Sequence, residues 1–150
     1  MNEDFDELYQ DVILDHAKRP RNYGEIPGAV RVIGDNPSCG DEVQLDVKFG
    51  GDGGVEDIKF SGQSCANCKA SASLMTMKLK GKSRPEAERL MHNFLQLVTS
   101  DVEPDTKGLG DAVVLRSVRK FPQRVKCATL AWRAFEQALG EGGRVSTEGG

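Results

Sequence analysis

No run of apolar residues in this chain approaches the roughly 20 needed to cross a bilayer, so no membrane-spanning helix is expected. Positive charge is not in excess either. Twenty Lys and Arg stand against 23 Asp and Glu, a net charge of −3, which gives no general attraction to nucleic acid or to an anionic membrane. The opening Met1-Asn2-Glu3-Asp4-Phe5-Asp6 is acidic where a secretory signal is basic and then apolar. Internal repeats are lacking. Cysteine is scarce and unevenly spaced, four residues in all, which gives no disulfide framework. The expectation is a soluble, cytoplasmic protein whose reduced thiols serve metal or sulfur chemistry.

A chain of 150 residues is long enough to bury one substantial core. We expect one domain over residues 1–139 and a frayed, glycine-rich tail over residues 140–150. Phe5, Leu8, Tyr9, Val12, Ile13 and His16 fall at helical spacing, and Pro20 ends the pattern. Strand-like alternation then runs through Val30–Ile33, Val43–Phe49 and Val55–Phe60, the last two joined by a hairpin at Gly50-Gly51-Asp52-Gly53-Gly54. Ala66–Leu79 reads as a helix closed by Gly81. A second follows Ser83, where Ser83 and Glu86 form a capping-box arrangement and Pro85 sits early, and it continues to Leu97 or Val98. Asp101–Gly110 reads as a loop, Ala112–Val118 as a short helix, and Cys127 to Leu139 as a final amphipathic helix. The predicted class is α+β, a three-stranded antiparallel sheet with helices packed on one face.

Three cysteines occupy punctuated positions. Cys39 lies in the turn Asn36-Pro37-Ser38-Cys39-Gly40-Asp41, Cys65 follows the third strand, and Cys127 opens the last apolar pattern. If the chain is extended at Cys39 and Asp41, both side chains point to one side, a sulfur and an oxygen from one segment. Cys65 is expected at a helix N-terminus, where free backbone N–H groups favour the thiolate, and Cys127 is expected in a similar field reinforced by Lys126 and Arg124. Three thiolates and a carboxylate suit tetrahedral zinc, and spacing alone leaves a structural and a reactive site equally open. Cys68 makes Cys65-Ala66-Asn67-Cys68 a Cys-x-x-Cys. It stands as a fourth ligand in place of Asp41, a relay for sulfur, a disulfide partner of Cys65, or a small packed residue.

Several ordered motifs together resemble the IscU/NifU-like scaffold family. They are Leu8-Tyr9 through His16, Pro20-Arg21-Asn22-Tyr23-Gly24, Asn36 through Asp41, Phe60 through Ala66, Ala70-Ser71-Ala72-Ser73 and Lys126-Cys127-Ala128. The resemblance covers the chain to about Leu139 and is nearest the SufU branch. It has the stretch Gly108 to Arg124 before Cys127, Lys126 where housekeeping IscU proteins carry a histidine, and no Leu-Pro-Pro-Val-Lys chaperone motif. The resemblance implies that Cys39, Asp41, Cys65 and Cys127 hold zinc. It also implies that Cys39 accepts persulfide sulfur from a SufS-like cysteine desulfurase, for delivery to a Suf scaffold or apo-acceptor. The alternative it carries is a scaffold on which a transient [2Fe–2S] cluster assembles and leaves. Cys68 stands where relatives carry serine.

The run Arg116, Arg119, Lys120, Arg124, Lys126 and Arg133 reads either as a solvated face or as a positive rim that activates thiols and docks an acidic partner. Arg124 orients the site, pairs with Asp41, or is an ordinary surface arginine. His16 is expected to be packed rather than ligating, His92 exposed, and Trp132, out of phase with its stripe, either core or a partner contact.

Overall fold

The computed structural model describes the backbone of residues 3–37, 39–100, 103–140 and 143–146, and side chains from residue 7 to 140 within those ranges. The chain opens with α1 (Glu3–Lys18), then runs through the antiparallel strands β1 (Val30–Asn36), β2 (Asp41–Phe49) and β3 (Val55–Gln63). Pairing of Val32 with Leu45, Leu45 with Phe60 and Val47 with Ile58 puts these apolar side chains on one face, and all five are almost fully buried. The five-residue turn between β2 and β3 closes as expected, with the Gly50 N–H donating to the Gly54 carbonyl and Gly53 at φ +87°.

The helices cover that apolar face. α2 (Ala66–Leu79) is the central one, buried on nearly every side through Cys68, Ala70, Ser71, Ala72, Ser73, Leu74, Met75 and Thr76. Its Ala and Ser residues let neighbours approach closely, and its buried hydroxyls all find partners. Ser71 Oγ donates to the Ala128 carbonyl at 2.6 Å, Ser73 Oγ lies 2.7 Å from His16 Nδ1 and accepts from the Arg21 N–H at 2.8 Å, and Thr76 Oγ1 donates to the Ser73 carbonyl at 2.7 Å. Satisfied hydroxyls make such a helix tolerable in a core. His16 is thus packed and hydrogen-bonded at 4% exposure, and burial lowers its pKa. α3 (Arg84–Thr99) begins with Ser83 Oγ accepting from the Glu86 N–H at 3.3 Å, and His92 on it is exposed.

Three expectations change. The short helix predicted over Ala112–Val118 is a 3₁₀ segment, α4 (Gly110–Lys120), which buries Ala112, Val114, Leu115 and Val118 against α1 and α3. The last helix, α5 (Pro122–Gly140), starts five residues before Cys127. Proline suits the first helical position, and Pro122, Gln123 and Arg124 are exposed, so the apolar stripe is silent over that first turn. The tail expected from Gly140 onward instead supplies β4 (Gly143–Ser146), which pairs in parallel with β1 to give the sheet order β3-β2-β1-β4. Residues 141–142 and 147–150 of that expected tail, and the Phe5 side chain of the first stripe, lie outside the described residues. Among the described residues no helix is long and apolar enough to cross a membrane.

Candidate metal centre

The β1–β2 hairpin builds half of the site. Its last pair is Asn36 opposite Asp41, and the connection turns back with the Cys39 N–H donating to the Asn36 carbonyl at 3.1 Å. Gly40, at φ +72°, takes a left-handed conformation that other residues adopt reluctantly. Cys39 therefore sits in a turn and not in extended chain, so the alternation argument for Cys39 and Asp41 does not hold. The turn nevertheless brings the two together, with Cys39 exposed at the tip and Asp41 buried at the start of β2.

The other half comes from α2 and α5. Cys65 is the N-cap residue of α2 on extended backbone, as predicted. Its own N–H donates to Asp41 Oδ1 at 2.8 Å, which leaves Oδ2 facing the sulfurs. The Cys127 thiol donates to Oδ2 at 3.2 Å, and the Cys65 sulfur lies 3.8 Å from the same oxygen. Ligand atoms of Cys39, Asp41 and Cys127 lie within 4.8 Å of one another. Cys65 stands outside that mutual set but shares the Asp41 carboxylate and a hydrogen bond with Cys127. Three segments remote in sequence thus converge on one carboxylate oxygen.

The electrostatics divide the thiols. The hydrogen bond shared with Cys127, with the Cys68 and Asn67 amides nearby, lowers the Cys65 pKa to about 7 against partial desolvation. Cys127 goes the other way, raised by its neighbour Cys65, by burial and by Asp41. It lies inside α5 rather than at its first turn, so the helix-end field expected for it is absent. A thiol whose folded pKa drops below its ordinary value is ionised over a window where a free thiol is not. In the metal-free chain the alkylation rate of Cys65 should rise with pH through a midpoint near 7, against 9.0 for an unperturbed thiol. Rate profiles on Cys39→Ser/Cys68→Ser protein, with the labelled peptide identified, check this; a midpoint near the ordinary value contradicts it.

Sequence reasoning missed Asn36. Its side chain, fully buried, directs Nδ2 at Asp41 Oδ2 (3.3 Å) and at Cys127 Sγ (3.6 Å), so one amide spans two of the candidate ligands. An Asn immediately before Pro reads as turn punctuation, and only burial reveals the second role. Groups that orient metal ligands typically affect affinity by about 10- to 100-fold. Asn36→Ala should weaken zinc binding by that factor in competition with a chromophoric chelator, and an unchanged affinity would show that the amide serves the turn alone.

The supporting residues fall out differently from expectation. Arg124 stands 4.7 Å from the Phe121 ring and acts on Tyr9, whose hydroxyl donates to Asn67 Oδ1; no pairing with Asp41 is seen among its described contacts. Glu103 meets Arg116 at 2.8 Å and Arg119 at 3.6 Å, and Glu136 meets Arg133 at 3.8 Å. Much of the predicted positive rim is therefore neutralised. Lys126 is half-buried one residue before Cys127. Cys68 is fully buried, and burial pushes its thiol pKa up.

The donor set fits zinc. Bonds of about 2.3 Å to sulfur and 2.0 Å to oxygen imply tetrahedral edges of about 3.8 Å between sulfurs and 3.5 Å from sulfur to oxygen. The observed 3.2 and 3.8 Å from Asp41 Oδ2 to two sulfurs are close to those values.

Comparison with known proteins agrees with the geometry. The family model for the NifU-like N-terminal domain matches residues 8–140. The iron–sulfur cluster assembly scaffold protein IscU of Streptococcus pyogenes serotype M1 is 46% identical over 88% of this chain and 82% of its own. The zinc-dependent sulfurtransferase SufU of Bacillus subtilis is 43% identical over 95% of this chain and 97% of its own. A crystal structure from Fervidobacterium islandicum, described as a candidate scaffold protein for the SUF system, superposes with a TM-score of 0.82 at 36% identity, covering 89% of this chain and 97% of that one. The chain belongs to the NifU-like N-terminal domain family, the iron–sulfur cluster assembly proteins that include IscU and SufU.

Proposed function

We propose that this protein is a zinc-dependent sulfur acceptor that takes persulfide sulfur from a cysteine desulfurase for iron–sulfur cluster biogenesis. One observation carries the reading: Cys39, an exposed thiol, stands at the tip of a turn beside a buried Asp41 and a buried Cys127 within 4.8 Å of it. A purely structural zinc site has no need of one ligand on an accessible tip. Cys39, Asp41, Cys65 and Cys127 would hold the metal, which keeps bound thiols deprotonated at neutral pH. Asp41, a hard oxygen among sulfurs, makes that hold exchangeable.

At a partner surface the Cys39 thiolate attacks the outer sulfur of the desulfurase persulfide. The sulfur–sulfur bond there breaks, the desulfurase cysteine leaves as a thiolate, and Cys39 carries the sulfur as a new persulfide, with no net gain or loss of electrons. Similarity to the Bacillus subtilis sulfurtransferase over nearly the whole chain supports this reading. Similarity to the Streptococcus IscU supports the second one, a scaffold for a transient [2Fe–2S] cluster. Desulfurase turnover with zinc-loaded and with chelated protein separates them. Stimulation by colourless, zinc-loaded protein and its loss on chelation supports transfer. A brown protein that passes its cluster to an apo-acceptor, with no zinc-dependent stimulation, supports scaffolding.

A further inference from the structure

The transfer chemistry leaves one thiol of the neighbourhood unused. Cys68 is fully buried, three residues beyond Cys65 on the same helix, and its thiol is hydrogen-bonded with the Ser64 side chain. Cys65 is the N-cap of α2, so Cys68 occupies the third helical position. In a capping box the side chains of those two positions reach back toward each other's backbone. Here the Cys65 sulfur lies toward the Cys68 N–H but closes no side-chain cap hydrogen bond, which leaves it free to turn. Residues three apart on a helix hold their β-carbons about 5–6 Å apart, and a disulfide needs about 3.5–4.5 Å, so bonding asks for an approach of an ångström or so at the extended cap residue. Cys-x-x-Cys at a helix N-terminus is also the placement in which thiol–disulfide chemistry is generally favoured. Cys127, hydrogen-bonded with Cys65, is the competing partner, but its thiol is also held by Asp41 Oδ2 at 3.2 Å and faced by Asn36 Nδ2 at 3.6 Å. The two cysteines also differ in access, Cys65 being exposed and Cys68 shielded, which assigns them different parts.

We propose that Cys65 and Cys68 form a reversible dithiol–disulfide site, oxidised by peroxides and reset by dithiol reductants, that withdraws Cys65 from the metal cluster. The exposed Cys65 thiolate attacks a peroxide oxygen, the O–O bond breaks, and a proton is taken up, giving Cys65 sulfenic acid and an alcohol or water. The Cys68 thiol then attacks the Cys65 sulfur, the S–O bond breaks, and water leaves as the disulfide forms. Two electrons pass from the pair of thiols to the peroxide, and a dithiol returns them by exchange. With Cys65 engaged, Cys39, Asp41 and Cys127 remain as three candidate ligands. The consequence for the metal rests on the zinc reading above; the disulfide does not.

The test treats the full chain, metal-free and zinc-loaded, with hydrogen peroxide, followed by alkylation, trypsin and mass spectrometry. Both cysteines fall in one tryptic peptide, Phe60–Lys69, and the expected product is that peptide unalkylated and lighter by two hydrogens. In the zinc-loaded sample its appearance should track metal release to a chromophoric chelator, and a dithiol should restore both thiols and zinc binding. In Cys68→Ser, peroxide should carry Cys65 on to sulfinic acid, so that zinc capacity does not return on reduction. Two results overturn the proposal: a crosslink from Phe60–Lys69 to the peptide Cys127–Arg133, or wild-type sulfinic acid at Cys65 with Cys68 still free. Disulfide formed in protein that never binds zinc leaves the pair standing and sinks the zinc reading.

Discussion

Cys39→Ser should reduce stimulation of a cysteine desulfurase to background, a loss of about two orders of magnitude or more, while the protein keeps its fold. Serine keeps the size of the side chain and loses the nucleophile. Its hydroxyl is not ionised near neutral pH and attacks sulfur poorly, and removal of a covalent nucleophile is among the largest single effects known in group transfer. The fold should be indifferent because the turn is closed by backbone: the Cys39 and Gly40 N–H groups donate to the Asn36 and Pro37 carbonyls, and the thiol itself is exposed. Desulfurase assays at saturating variant, with circular dichroism as the folding control, check this. Stimulation by Cys39→Ser equal to that of the unaltered chain would remove Cys39 as acceptor and move the role to Cys65 or Cys127.

Trp132→Ala should lower stability by about 3–5 kcal/mol, the range for deleting a fully buried large aromatic side chain. Trp132 is completely enclosed, stacks on Phe94 with ring centroids 4.0 Å apart, and donates from Nε1 to Ser71 Oγ at 3.0 Å. It ties α5, which carries Cys127, to α2, which follows Cys65, so its loss should loosen the metal centre as well as the core. Trp132→Phe keeps an aromatic surface against Phe94 and loses the hydrogen bond, for about 1–2 kcal/mol. Urea unfolding midpoints at constant slope measure both. A Trp132→Ala midpoint shifted by less than that of Trp132→Phe would place this side chain at an edge or partner contact.

The antiparallel meander was legible because Val43–Phe49 alternates cleanly and glycines punctuate its ends. The start of α3 was legible because Ser83 and Glu86 announce a cap. Cys65 could be placed at a helix N-terminus because a strand pattern stops and an Ala/Ser pattern begins beside it. What escaped depended on neighbours distant in sequence. Asn36 acquires its role only when Asp41 and Cys127 close around it. The basic run had only Asp111 and Glu136 close by in sequence, and Glu103, across the loop, meets Arg116 and Arg119 only in the fold. β4 forms where the free edge of β1 offers it a partner, and its glycine-rich surroundings disguised it. Trp132 broke the stripe of α5 because that helix buries more than one face, a circumstance that periodicity alone does not report.

Sulfur is received by Cys39, the exposed thiol at the turn tip of the three-segment metal centre. Brief incubation of the zinc-loaded chain with a cysteine desulfurase and free cysteine, followed by trapping and peptide mass spectrometry, tests it most directly. The tryptic peptide Val32–Lys48 contains Cys39 and no other cysteine, and it should gain one sulfur atom that a dithiol removes. Sulfane sulfur found instead on Phe60–Lys69 or Cys127–Arg133, or none on any peptide while the desulfurase turns over faster, would contradict it.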